Sequence, residues 1–183
     1  MNICVYGSLN EPWNPVWSEL AAQLGRQLAR RGHTFLFGGG GTGLLGAAAR
    51  GARSEGGALR AIVRGDQSWE TPLEGLEPWL ETFGYRERKQ AMEEQADGFL
   101  VLPGGIGTLD ECVETLILES RWKPVAIYQP DGYYEPLRAF LRRAVEEGLL
   151  DAGRDLDACF CDTPERVWER LEGQPESPAK KQS

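Results

Sequence analysis

Two segments of this chain pass from a short apolar strand through a run of glycines into a helix. The first glycine loop, Gly38–Gly46, follows the apolar residues Thr34–Phe37 and leads into an alanine-rich helix. The second glycine loop, Pro103–Gly107, follows Phe99–Leu102, and a helix is predicted to begin at Thr108. Because the carboxyl ends of parallel strands lie at one edge of a sheet, both loops are predicted to line one crevice.

Each loop has the features of an anion-binding turn. A helix N-terminus carries unpaired backbone N–H groups and about half a positive charge. Glycines let a phosphate approach these groups because no β-carbon stands in the way. In the first loop, Gly41-x-Gly43-x-x-Gly46 also matches the dinucleotide-binding fingerprint, with Asp66 further along the chain. The alternative for this loop is a tight turn that lets the helix pack closely on the sheet.

Short apolar strands alternate with amphipathic helices along the chain. This alternation predicts one α/β domain over residues 1–172, with a mostly parallel sheet and helices on both faces. A length of 183 residues suits a single domain with a full core. Residues 173–183 are polar and are predicted to form a disordered tail.

Charge and composition exclude several classes of partner. The net charge is −8, and no block of basic residues stands out except the short run Arg86–Lys89 and the terminal pair Lys180-Lys181, which argues against binding a nucleic-acid polymer. The chain has no run of 18 apolar residues and no basic signal-peptide start, so neither a membrane span nor export is expected. A cytoplasmic location is predicted.

The cysteines and the single histidine are predicted to be structural. Cys4 and Cys112 lie in apolar patterns typical of a core. Cys159-x-Cys161 lacks a second Cys/His pair, so neither a metal site nor a cofactor is predicted. His33 follows a predicted helix C-terminus, and this position is sufficient to explain it.

Two charged segments admit two interpretations each. Thr108-x-x-Glu111 matches a capping box, in which Glu111 would bond back to the N-cap; alternatively, Glu111 is a catalytic carboxylate one turn from a bound phosphate. Its neighbours Asp110 and Glu114 are predicted to be solvated or to compensate the helix dipole. The run Arg86–Lys89 is typical of a solvated helix start, but cations oppose the dipole there and would be better placed beside an anion.

Taken together, these segments resemble the Lonely Guy family, the cytokinin riboside 5′-monophosphate phosphoribohydrolases, which also carry the label lysine-decarboxylase-like. The resemblance runs from about Ile3 to Arg170 and rests on CVYGS, RGHTFLFGGGGTGLLGA, YRERKQAM, PGGIGTLDE, KPVAIYQPDGYY and AVEEGLL. It implies a Rossmann-like fold, a homodimer, and hydrolysis of an adenosine 5′-monophosphate, N6-modified forms included, to free base and ribose 5-phosphate. No motif for a pyridoxal-phosphate lysine supports the decarboxylase label.

The resemblance also assigns roles to residues. The family's catalytic arginine and glutamate fall on Arg88 and Glu111. Glu111 is expected to stabilise an oxocarbenium-like state, whereas an arginine stays protonated and would bind oxygens or hold the glutamate. No residue is assigned to protonate the leaving base. The predicted substrate contacts are Gly7, Ser8, Gly39, Gly40, Gly43, Lys89, Met92, Pro103, Gly104, Gly105, Gly107 and Thr108.

The chain departs from the family pattern near the expected position of the base. Gly84-Tyr85 stands where Met-His is common, and Val63–Asp66 replaces a turn that usually contains proline. These departures leave the identity of the base open. They also leave open an alternative function, that of a protein of the same fold that binds a nucleotide or nucleotide-like cofactor without cleaving it.

Trp122 is a predicted contributor to the dimer interface.

Overall fold

The computed structural model describes residues 1–65, 71–118, 123–151 and 156–173. Asp66, Trp122 and the predicted tail from position 174 onward lie outside the described residues. The strands are β1 Asn2–Tyr6, β2 Thr34–Phe37, β3 Leu59–Arg64, β4 Leu80–Thr82, β5 Gly98–Val101, β6 Val125–Tyr128 and β7 Phe160–Cys161. The α-helices are α1 Pro15–Arg30, α2 Gly43–Ser54, α3 Tyr85–Gln95, α4 Ile106–Leu118, α5 Glu135–Glu146 and α6 Pro164–Glu172.

The strands form one seven-stranded sheet with the order β4-β3-β2-β1-β5-β6-β7, in which all neighbours are parallel. The central strands are short and apolar because both of their faces are buried. Helices α1, α2 and α6 pack on one face, and α3, α4 and α5 pack on the other. This arrangement confirms the predicted α/β, Rossmann-like fold. Among the described helices, none is long and apolar enough to cross a membrane.

The direction of chain progression across the sheet reverses between β1 and β5. Strands β1 to β4 extend the sheet one way, and β5 to β7 extend it the other way. Open α/β sheets bind ligands in the crevice beyond the carboxyl ends of the strands at such a reversal. The second glycine loop follows β5 and borders this crevice directly, whereas the first follows β2, one strand away from it.

Local hydrogen bonds set where several elements begin. The predicted start of α4 at Thr108 is wrong, because Leu109 N–H donates to the Gly105 carbonyl at 2.9 Å and the helix begins at Ile106. A 3₁₀ turn over Asp157–Cys159 leads directly into β7. Thr163 is the N-cap residue of α6, since Arg166 N–H donates to Thr163 Oγ1 at 3.4 Å.

Candidate active site

Arg88 of α3 and Glu111 of α4 meet at the crevice. Arg88 Nη2 lies 3.8 Å from Glu111 Oε1, and the two side chains are only 6% and 13% exposed. The guanidinium also lies against Gly38 at the end of β2, where a β-carbon would come within 2.9 Å of Nη1. Gly38, which was not singled out from the sequence, therefore lets Arg88 approach the sheet. The pair predicted from the family motif is brought together.

The capping-box interpretation of Glu111 is wrong. In a capping box, Thr108 would be the N-cap residue. The structure places Thr108 within the first turn of α4, two residues after the helix begins, and Gly105 holds the cap position. Glu111 therefore cannot bond back to an N-cap at Thr108, and its carboxylate faces Arg88 instead.

The run Arg86–Lys89 is not simply a solvated helix start, because Arg88 and Lys89 are 5% and 8% exposed. Lys89 Nζ lies 2.9 Å from Asp110 Oδ2 and also forms an ion pair with Glu114. Burial lowers the pKa of Lys89, but its hydrogen bonds to Glu114 and Asp110 outweigh this effect and leave the pKa raised. The two acids are therefore more than solvated neighbours: with Lys89, they tie α3 to α4 beside the Arg88–Glu111 pair.

Tyr85 is a site residue that sequence reasoning did not assign. Its ring centre lies 5.3 Å from the Arg88 guanidinium carbon, 5.5 Å from Lys89 Nζ and 5.8 Å from the Arg64 guanidinium carbon. Aromatic faces attract cations at such distances. Partial burial, and then the negative charge of Glu111, raise the pKa of the Tyr85 phenol. Two sequence signals pointed to it: its place immediately before the charged run, and its position in the segment that departs from the family pattern.

The second glycine loop opens towards unfilled space. A β-carbon at Gly105 or Gly107 would have no heavy atom of the described residues within 4 Å. Gly104 differs, because a β-carbon there would overlap Thr108. The N–H groups of Ile106, Gly107 and Thr108 precede the first hydrogen bond of α4, so the chain offers donors and room for an anion at the same place.

The first glycine loop is filled by the protein itself. Gly43 N–H donates to Glu11 Oε1 at 3.1 Å, and Leu45 N–H donates to the Ser8 carbonyl at 3.1 Å. A β-carbon at Gly43 would lie 2.5 Å from backbone atoms of residues 8 and 9, and one at Gly46 would overlap Gly41. These contacts favour the close-packing interpretation of the fingerprint, and substrate binding by Gly43 stays a prediction.

The remaining predicted substrate contacts lie in three different surroundings. Gly7 and Ser8 follow β1 next to the second loop, and Ser8 N–H donates to the Pro103 carbonyl at 3.1 Å. Gly39 and Gly40 lie in the loop after β2, but β-carbons there would meet the side chains of neighbouring residues. Met92 is 1% exposed and belongs to the core between α3, α4 and the sheet, which argues against a substrate contact.

The four cysteines are buried in the core, and the histidine lies at the opposite edge of the sheet. Cys4 and Cys112 are buried as predicted, and burial raises the pKa of Cys112 to about 12. Cys159 and Cys161 are also buried. His33 precedes β2 at the amino edge of the sheet, where its Nε2 lies 3.0 Å from Glu172 Oε1.

The parallel sheet, the open loop at its reversal point and the buried arginine–glutamate pair define a Rossmann-like protein with an open crevice at the carboxyl edge of its sheet. A family model described as "Possible lysine decarboxylase" matches residues 45–171. The chain belongs to this family. The resemblance stated from the sequence is thereby confirmed, because the curated relatives carry the phosphoribohydrolase name.

The relatives cover most of this chain. Rice "Probable cytokinin riboside 5'-monophosphate phosphoribohydrolase LOGL2" is 31% identical over 93% of this chain and 71% of its own length. The cytokinin riboside 5'-monophosphate phosphoribohydrolase of Mycobacterium tuberculosis is 38% identical over 74% of this chain and 72% of its own length. Rice LOGL5 is 35% identical over 81% of this chain, and the match spans 62% of that relative's own length.

Solved structures share the fold at lower identity. The molybdenum cofactor binding protein of Rippkaea orientalis superposes with a TM-score of 0.69 at 21% identity, covering 93% of this chain and 95% of that one. The molybdenum cofactor carrier protein of Chlamydomonas reinhardtii superposes with a TM-score of 0.58 at 23% identity, covering 80% of this chain and 96% of that one. At these identities the likeness concerns the fold alone.

Proposed function

We propose that this protein hydrolyses the N-glycosidic bond of a nucleoside 5′-monophosphate and releases free base and ribose 5-phosphate. The observation that carries the proposal is the buried pair Arg88–Glu111, 3.8 Å apart, one helical turn behind the open N-terminus of α4. The names of the relatives, which specify cytokinin riboside 5'-monophosphates, support the reaction class. We therefore propose an adenosine 5′-monophosphate, N6-modified forms included, as substrate.

The chemistry follows from the order of groups along α4. The phosphate is placed at the N–H groups of residues 106–108, where the helix dipole favours an anion. The C1′–N bond breaks with its electron pair moving to the base, while a water oxygen bonds to C1′. The water loses one proton and the base takes up one, so the products are ribose 5-phosphate and the free base. Positive charge builds on the ribose meanwhile. Glu111 stabilises this charge and orients the water, and Arg88 holds the carboxylate and the oxygens near it.

Glu111→Gln tests the role of the carboxylate. The change keeps the size of the side chain but removes its negative charge, so the rate of base release should fall on the order of a hundredfold or more. Stability should also fall, by about 1 to 3 kcal/mol, because the buried Arg88 guanidinium loses its charged partner. Steady-state release of adenine from AMP and a melting curve, both on one preparation, measure the two effects.

A matched control is Glu94→Gln, which alters an exposed glutamate of α3 that bonds to Gln90. This variant should keep the wild-type rate. Near-normal turnover by Glu111→Gln would contradict the mechanism. Wild-type protein that binds AMP without releasing adenine would instead support the alternative of a nucleotide-binding protein that does not cleave its ligand.

We further propose that the protein is a cytoplasmic homodimer that pairs through α4. Ile106, Val113 and Ile117 are exposed on one side of this helix and border an open groove of about 830 Å³. Exposed apolar surface of this kind marks an association site, and a second copy of the chain is the occupant implied by the family resemblance. Light scattering at micromolar concentration should give the mass of a dimer for wild type and of a monomer for Ile117→Asp. A monomeric wild type would contradict the proposal.

A further inference from the structure

The backbone of the second glycine loop is held at consecutive carbonyl groups. The Leu102 carbonyl accepts a hydrogen bond from Tyr134 Oη at 2.9 Å, the Pro103 carbonyl from Ser8 N–H at 3.1 Å, and the Gly104 carbonyl from Tyr133 Oη at 2.8 Å. The donors come from two distant parts of the chain, Ser8 after β1 and the adjacent pair Tyr133–Tyr134 after β6. With its carbonyl groups fixed on one side, the loop presents its following N–H groups in a defined direction.

The bond from Tyr133 bears directly on where α4 begins. In a continued α-helix, Thr108 N–H would donate to the carbonyl four residues earlier, which is that of Gly104. That carbonyl is instead directed at the Tyr133 hydroxyl, and the first helical bond runs from Leu109 to Gly105. The phenol therefore competes for the acceptor that would extend the helix, and Thr108 N–H remains at the open end.

Tyr133 is itself held by neighbouring aromatic groups. Its ring packs edge-on against Trp17 at 5.2 Å and against Tyr134 at 4.8 Å. Trp17 Nε1 in turn donates to Asp131 Oδ2 at 2.9 Å, and Asp131 adopts a left-handed backbone with φ of 55°. A non-glycine residue in this conformation needs support from its surroundings. The turn after β6 is thus fixed in a shape that delivers both phenols to the loop.

We propose that Tyr133 and Tyr134 are positioning residues that preorganise the phosphate-binding N–H groups of α4, an inference that rests on the proposed function. Neither phenol is required to touch the substrate. Their hydroxyl groups fix the carbonyl side of the loop so that binding the phosphate does not have to reorder it. Preorganised donors bind more tightly because less conformational entropy is lost on binding.

Tyr133→Phe and Tyr134→Phe test this role, since each keeps the aromatic packing and removes one hydroxyl. Each should raise the Kd for ribose 5-phosphate roughly three- to tenfold, the range expected for one hydrogen bond. Titration calorimetry with ribose 5-phosphate, AMP and adenosine measures this; adenosine, which lacks the phosphate, should bind unchanged. The KM for AMP should rise by the same factor, with kcat within about twofold of wild type.

Tyr128→Phe is the matched control, because Tyr128 is a buried phenol at the end of β6 with no hydrogen bond to the loop among the described contacts. It should leave each Kd unchanged. The proposal is overturned if the Tyr133 and Tyr134 variants keep wild-type Kd values, or if only kcat and the melting temperature fall. Wild type that binds AMP without cleaving it would refute the proposed function alone, and the Kd comparison would still decide this inference. Wild type that binds neither AMP nor ribose 5-phosphate would refute both.

Discussion

In the first glycine loop the N–H groups at the start of α2 are bonded to Glu11 and Ser8, whereas the glycines at the start of α4 border open space. Both loops have the same order of strand, glycines and helix. The first belongs to β2, and segments of the chain that lie against it occupy its donors and its free volume. The second belongs to β5 at the reversal of the sheet, where the turns after β1 and β6 bond to its carbonyl groups and, among the described residues, leave Gly105 and Gly107 facing open space. A glycine pattern therefore predicts a close approach of backbone, and its surroundings decide whether protein or ligand makes that approach.

The largest expected effect is on stability, from Gly46→Ala in the first loop. The added methyl would overlap the backbone of Gly41, which cannot yield as a flexible side chain could. We expect the free energy of unfolding to fall by about 3 kcal/mol. Urea denaturation measures the loss. Unchanged stability would mean that the first loop has room for a ligand after all, and the contrast between the loops would fail.

A smaller effect, on binding rather than stability, is expected from Gly107→Ala in the second loop. Gly107 lies one turn before Glu111 on the same side of α4, and its β-carbon would enter open space. We expect AMP to bind about tenfold more weakly, which corresponds to about 1.4 kcal/mol. Adenosine binding and the melting temperature should not fall, since alanine favours a helix. Thermal shifts with both ligands provide the test. A thermal shift with AMP equal to that of the wild type would show that the phosphate does not bind at this loop.

The smallest effect is expected from Glu11→Ala. Glu11 accepts the Gly43 N–H at the start of α2 and so replaces an external anion there. Its loss should cost about 1 kcal/mol of stability, the usual value of a helix cap, with no change in the KM for AMP. Urea denaturation measures the change in stability, and steady-state kinetics on the same variant measures the KM for AMP. A raised KM would show that the first loop contributes to substrate binding.

Local sequence patterns predicted much of the fold. The alternation of apolar strands and helices and the two strand–glycine–helix turns were predicted, because each depends on residues within one turn or one strand. The motif likewise identified Arg88 and Glu111 as a pair. It could not reveal that α4 begins at Ile106, since that start depends on which donor forms a hydrogen bond to the Gly104 carbonyl.

The sequence by itself determined the alternation of strands and helices, the two glycine turns and the residue types placed beside them. Only the tertiary structure decided which turn is open and which is filled. Glu11 reaches Gly43 across 32 positions, and Tyr133 reaches Gly104 across 29. Hydrophobic periodicity and capping act over a few residues, whereas such hydrogen bonds exist only after the sheet has brought distant segments to one edge.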